Sequence, residues 1–151
     1  VEKIAEIMHE MALVYKEKKH FNEAARIFKQ ELSVRRKIGQ PEYPCIARTL
    51  NLLGLVEHEM RNNSRALKFL VESLSIYQQE RNGMGVECAQ VLFNTGLVFN
   101  SVRNSNRARE AFSESLRIFK EQGLANDDPR ILQTEKELAK LRQNISTRHA
   151  R

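Results

Sequence analysis

Ala24, Ala66 and Ala108 stand 42 residues apart, and Leu32, Leu74 and Leu116 keep the same step. Ala5, Ala47 and Ala89 repeat it again, as do Gly54 and Gly96, with Ala12 in the matching place upstream. A fixed period in this range marks a helical repeat array, in which each unit buries its apolar face against its neighbours. The unit is clearest from Ala47 to Ile76: one helix, a short Asn-rich turn and a second helix. The expectation is an all-α fold, a right-handed α-solenoid of antiparallel helix pairs with three repeats and a C-terminal capping helix. Such a period implies a binding scaffold and leaves the partner open.

Helical spacing of apolar residues fills in the array. The first helix A carries Ile4, Ile7, Met8, Met11 and Tyr15, and its partner, starting near Asn22, carries Ala24, Ile27, Phe28, Leu32 and Val34. The second pair has Leu50, Leu53 and Val56, then Ala66, Phe69, Leu70, Leu74 and Ile76. The third has Leu92, Gly96 and Phe99, then Ala108, Ala111, Phe112, Leu116 and Ile118. After Pro129 a last helix turns Leu132, Leu138, Leu141 and Ile145 inward and Lys136, Lys140 and Gln143 outward. The repeats are placed at 5–46, 47–88 and 89–131 and the cap at 132–145, so one domain covers 1–145, and 146–151 is read as a polar, disordered tail.

Helix breakers separate the repeats: Gly39 with Pro41 and Pro44, Gly83 with Gly85, and Gly123 with Asp128-Pro129. Asp before Pro reads as an N-cap followed by a first-turn residue. Asn22, Ser64 and Asn106 share one repeat position and are expected to cap the B helices. Lys19, Arg61 and Arg103 share another, where a cation suits the negative pole of helix A. Ala12, Gly54 and Gly96 on helix A, and Ala24, Ala66 and Ala108 on helix B, let the paired helices approach, while Phe28, Leu70 and Phe112 fill the space one turn on.

These small and aromatic positions resemble the tetratricopeptide repeat, and the 42-residue form looks like the kinesin-light-chain type. The segment GQPEYPCIARTLNLLG (39–54) is similar to that family's inter-repeat linker and following helix, and DPRILQTEKELAKL (128–141) matches the same stretch. That match sets Leu132 where Ala47 and Ala89 stand and makes the third repeat one residue longer. NGMGVECAQVLFNTG (82–96) looks instead like the related spindle-orientation adaptors. The Gly usual between helices A and B is replaced by Lys19-His20, Arg61-Asn62 and Arg103-Asn104, and Asn tolerates the left-handed conformation a turn needs.

The net charge of +6 lies mostly at the ends: segments 1–46, 47–88, 89–131 and 132–151 carry +2, 0, +1 and +3. Nucleic-acid binding would concentrate it on one face, and Arg35-Arg36-Lys37 is the only run of three cations, so RNA binding through the basic ends is the weakest reading. Cys45 and Cys88 fall in successive linkers, about one repeat apart and beyond disulfide reach, and are expected to be reduced. With no apolar run long enough for a membrane span and no secretory signal pattern, a cytoplasmic location is expected. None of the four histidines, His9, His20, His58 and His149, forms a metal pair at i,i+4, neither cysteine has a CxxC partner, and Gly83-Met84-Gly85 lacks a P-loop lysine. The sequence points to no enzyme, metal or cofactor.

The helix A positions facing away from helix B are His9, Glu10, Leu13 and Lys16, then Arg48, Asn51, Leu55 and His58, then Phe93, Asn94, Leu97 and Asn100. They are expected to line a concave groove for a peptide or partner segment with acidic residues. Arg48 and Lys16 would attract its charge, Asn51 and Asn94 would hold its backbone through amide donors and acceptors, and Leu55, Phe93 and Leu97 would offer apolar contact. The alternative is a structural or sensory arm of a larger multidomain protein. The chain begins mid-pattern at Val1 and is expected to be a piece of a longer one. Ile4, Ile7, Met11 and Val14 would then form an open face for further repeats or self-association.

Overall fold

A computed structural model describes residues 1–39, 43–79 and 85–150. They form helices throughout, with no strand among the described residues. The chain divides into two compact units, Val1–Arg81 and Asn82–Arg151. The first holds α1 (Glu2–Glu17), α2 (Phe21–Ile38), α3 (Tyr43–Glu59) and α4 (Asn63–Gln79). The second holds α5 (Val86–Ser101), α6 (Ser105–Glu121) and α7 (Pro129–His149). The fold is the expected all-α, repeat-solenoid type.

Each helix pair closes through one device. Lys19 lies in the left-handed region at φ 61°, its N–H donates to Lys16 O at 3.0 Å, and His20 N–H donates to Tyr15 O at 2.8 Å. Those paired bonds make a Schellman turn. Arg61 (φ 66°) and Arg103 (φ 60°) repeat it, and Gly123 (φ 82°) ends α6 in the same way. The left-handed residue is therefore the cation, whereas sequence reasoning gave that conformation to the following Asn. The residue after it starts the next helix at once: Asn104 is the N-cap of α6 and accepts from Arg107 N–H at 3.3 Å. Caps thus stand two residues before Asn22, Ser64 and Asn106, which lie inside the first helical turns.

A side chain in this conformation costs roughly 1–2 kcal/mol that glycine avoids, less the ~0.4–1 kcal/mol of extra freedom glycine gains when unfolded. Lys19→Gly, Arg61→Gly and Arg103→Gly should each stabilise the fold by about 0.5–1 kcal/mol, and additively, since the turns share no partners. Chemical denaturation of the triple variant checks this; no gain over the parent refutes it.

The small-residue positions do what their spacing implies. Ala12, Ala24, Ala66 and Ala108 are fully buried. A Cβ added at Gly54 would come within 2.7 Å of Leu70, and one at Gly96 within 2.6 Å of the Phe112 ring. The B helices are also tied back to their partners: Ser73 Oγ donates to Ala47 O at 2.6 Å and Ser115 Oγ to Ala89 O at 2.7 Å, both buried. In the first unit the core gathers Phe28, Leu32, Leu50, Leu53 and Val56, and in the second Phe93, Phe112, Leu138 and Leu141.

Three expectations need correction. In α7 it is Ile131 that is buried (1% exposed), while Leu132 points out at 51%. Ile131 stands 42 residues after Ala89, so the period runs unbroken and the third repeat is no longer than the others. Second, α7 continues to His149 instead of giving way to a disordered tail at 146. Its start is as expected, with Asp128 accepting from Arg130 N–H at 2.9 Å ahead of Pro129. Third, Cys45 and Cys88 lie in the first turns of α3 and α5, not in linkers, and both are free thiols. Pro41 and Gly83 fall outside the described residues.

Candidate partner-binding surface

In the first unit, the A helices α1 and α3 share one core, against which Leu13 and Leu52 are half-covered. Above it, Lys16, Asn51, Leu55 and His58 are half-buried and Arg48 is exposed. Neither Arg48 nor Lys16 pairs with a carboxylate among the described residues. His58 Nδ1 lies 3.0 Å from Asn63 Oδ1, which fixes its ring against the next helix. Leu13 and Leu55 stand at one repeat position of the two A helices.

His9 is different. It is buried, and its Nδ1 sits 3.1 Å from both oxygens of Glu31. Glu31, on α2, is also fully buried, and accepts from Arg35 Nε at 2.7 Å and Thr49 Oγ1 at 2.8 Å. One carboxylate therefore joins α1, α2 and α3. Burial alone would push its pKa up, but the hydrogen bonds from His9, Arg35 and Thr49 outweigh that and hold it below the usual carboxylate value. A second buried carboxylate, Glu57 on α3, accepts from Lys29 Nζ at 3.0 Å and Asn62 Nδ2 at 2.8 Å. Sequence reasoning passed over both. The signal was in the period: position 31 is Glu where 73 and 115 are Ser, and position 35 is Arg where 77 and 119 are Tyr and Phe.

In the second unit Leu97 and Asn100 on α5 are half-buried. Phe93 and Asn94 are not open to a ligand, each being only 5% exposed. The Phe93 ring lies 5.4 Å from that of Phe112, in a core completed by Leu138 and Leu141 of α7. Phe93 therefore faces α6, its own helix B, and an isolated reading of α5 could not see this. Among the described residues no group of three or more His, Cys, Asp or Glu side chains could hold a metal. No helix among the described residues is long and apolar enough to cross a membrane.

A family model for the tetratricopeptide repeat matches residues 3–79, half of the chain. The chain belongs to the tetratricopeptide repeat family. In fold its repeats are similar to those of kinesin-light-chain-like proteins. Among solved structures, BtubC (BKLC) from P. vanneervenii superposes with a TM-score of 0.85 at 22% identity, covering 94% of this chain and 56% of that one. A putative kinesin light chain of Podosopora anserina with nearly identical TPR-like repeats gives 0.80 at 17% identity, covering 91% and 65%. The apo form of RapI gives 0.81 at 19%, covering 95% and 50%. This tetratricopeptide chain thus spans between half and two thirds of the length of those structures. Comparison with curated protein sequences gives no match.

Proposed function

We propose that this tetratricopeptide repeat chain is a protein-interaction scaffold that holds a partner segment along the A-helix face of the first unit. The observation that carries the reading is the Leu13–Leu55 strip bordered by Lys16, Arg48 and Asn51, two of them cations without a carboxylate partner among the described residues. An acidic segment suits that border: the guanidinium of Arg48 offers a fork to a carboxylate, and an amide matches a peptide backbone. Leu97 and Asn100 repeat the same chemistry on α5 in the second unit. Short segments that order on binding lose chain freedom, so affinity is expected near micromolar, roughly −8 kcal/mol. Partners would be identified by pull-down and their affinities compared between the parent and Arg48→Ala/Asn51→Ala. Loss of a charged and a neutral hydrogen bond should weaken binding more than about tenfold with little change in melting temperature. Unchanged affinity would move the interaction off this face.

One observation favours a second docking surface. Ile4, Ile7, Met11 and Val14 are each about half exposed, with Ile7 at 60%. The same repeat positions on α3, namely Ile46, Thr49, Leu53 and Val56, are buried at 3% or less. Within the first unit, α2 packs on α3. The matching face of α1 therefore suits a B-type amphipathic helix, whether from a further repeat, a neighbouring domain or a second copy of this chain. Light scattering tests the last case: a concentration-dependent dimer that Ile7→Glu/Met11→Glu abolishes supports it, and a monomer at every concentration excludes it.

A further inference from the structure

The second unit has a cleft of about 780 Å³ between the α5–α6 turn, the first turns of α6 and the end of α7. No Asp or Glu lines it. Arg103, Arg109 and Arg148 do, together with the amides of Asn100, Asn106 and Asn144. Three other arginines of this unit are engaged, Arg117 with Glu114 and Glu121, Arg130 with Asp128, and Arg107 over the Phe99 ring, while among the described residues the Arg142 side chain on α7 is not. The side chains of the three in the cleft have no ion pair, hydrogen bond or ring contact among the described residues.

We infer that this cleft binds an acidic segment of a partner protein, independently of the A-helix face. Three uncompensated guanidinium groups in one concavity repel each other and gain most from carboxylates, which accept their paired N–H groups in a fork. Asn side chains supply both a donor and an acceptor, the match for a peptide backbone lying between those carboxylates. RNA is the lesser fit. Recognition of single strands rests on bases stacked on aromatic rings, and no Phe, Tyr or Trp lines the cleft.

The test is fluorescence anisotropy of a labelled peptide of Asp, Glu and Gly at low salt, with oligo(U) as competitor. Binding should weaken as salt rises. Arg109→Gln/Arg148→Gln should reduce affinity at least about tenfold, two charged hydrogen bonds being lost. Arg103→Gly separates binding from folding, because it removes a cation while relieving a left-handed residue: affinity should fall about threefold as the melting temperature rises. Arg48→Ala/Asn51→Ala should leave this binding intact. The inference is overturned if the peptide does not bind, or if Arg109→Gln/Arg148→Gln binds like the parent. It is equally overturned if Arg48→Ala/Asn51→Ala abolishes binding, or if oligo(U) displaces the peptide at comparable concentration.

Discussion

Glu31→Ala is expected to destabilise the fold by about 3–5 kcal/mol, enough to leave much of a marginally stable domain unfolded. The carboxylate is fully buried and satisfies three side chains at once, so its removal strips the buried Arg35 guanidinium of its charged partner and leaves Thr49 and His9 with one acceptor fewer. Desolvating an unpaired cation outweighs anything the smaller side chain gains. The companion variant Glu31→Ser/Arg35→Tyr should behave quite differently, because it installs the pair found at Ser73 and Tyr77 one repeat later. The hydroxyl placed at position 31 can donate to Ala5 O, as Ser73 does to Ala47 O at 2.6 Å. Replacing a whole buried ion pair by a packed, hydrogen-bonded one is often neutral. The double variant should therefore lie within about 1 kcal/mol of the parent in urea unfolding. A double variant as damaged as Glu31→Ala would mean that His9 and Thr49 depend on the carboxylate itself.

The same group sets a pH dependence. Its pKa in the folded state is held below the usual value of 4.5. The unfolded chain therefore takes up this proton first, so the stabilisation is complete above about pH 4.5 and declines as pH falls toward the folded value. Glu31→Ser/Arg35→Tyr should lose less stability than the parent between pH 5 and about pH 3.

Sequence reading reached the repeat because small and large residues at one period answer directly to helix contact: Gly96 is small because Phe112 lies against it. It misplaced the caps because Asn and Ser residues crowd the second and third turns, where propensity alone cannot say which of Asn104 and Asn106 meets the free N–H groups, and because the first turn puts His20, not Asn22, at the cap position. It gave the left-handed turn residue to Asn because propensity favours Asn there, whereas hydrogen bonding from both ends of the turn puts Arg61 and Arg103 in that place. Phe93 was read as a groove residue because helix-A spacing alone sets it on the side away from helix B. Its ring instead lies 5.4 Å from that of Phe112 on α6, in a core that includes Leu138 and Leu141 of α7, whose register was itself off by one at Leu132.

Phe112→Ala should cost about 3–5 kcal/mol, since the ring is fully buried and the core of the second unit closes around it. Its neighbour supplies the sharper expectation. Gly96→Ala brings a Cβ to 2.6–2.9 Å from three atoms of the ring, and Phe93, centred 5.4 Å away, crowds the ring from moving aside. Overpacking of roughly 1–3 kcal/mol then exceeds the ~1 kcal/mol of helix propensity that alanine gains over glycine. In the parent, Gly96→Ala should destabilise. In the Phe112→Ala background the obstructing atoms are gone, propensity acts alone and the added methyl fills part of the cavity, so the same substitution should stabilise by about 1 kcal/mol. A double-mutant cycle measured by chemical denaturation reads this change of sign, with a coupling of roughly 1–3 kcal/mol in all. If Gly96→Ala has the same sign in both backgrounds, the glycine is not there for the ring.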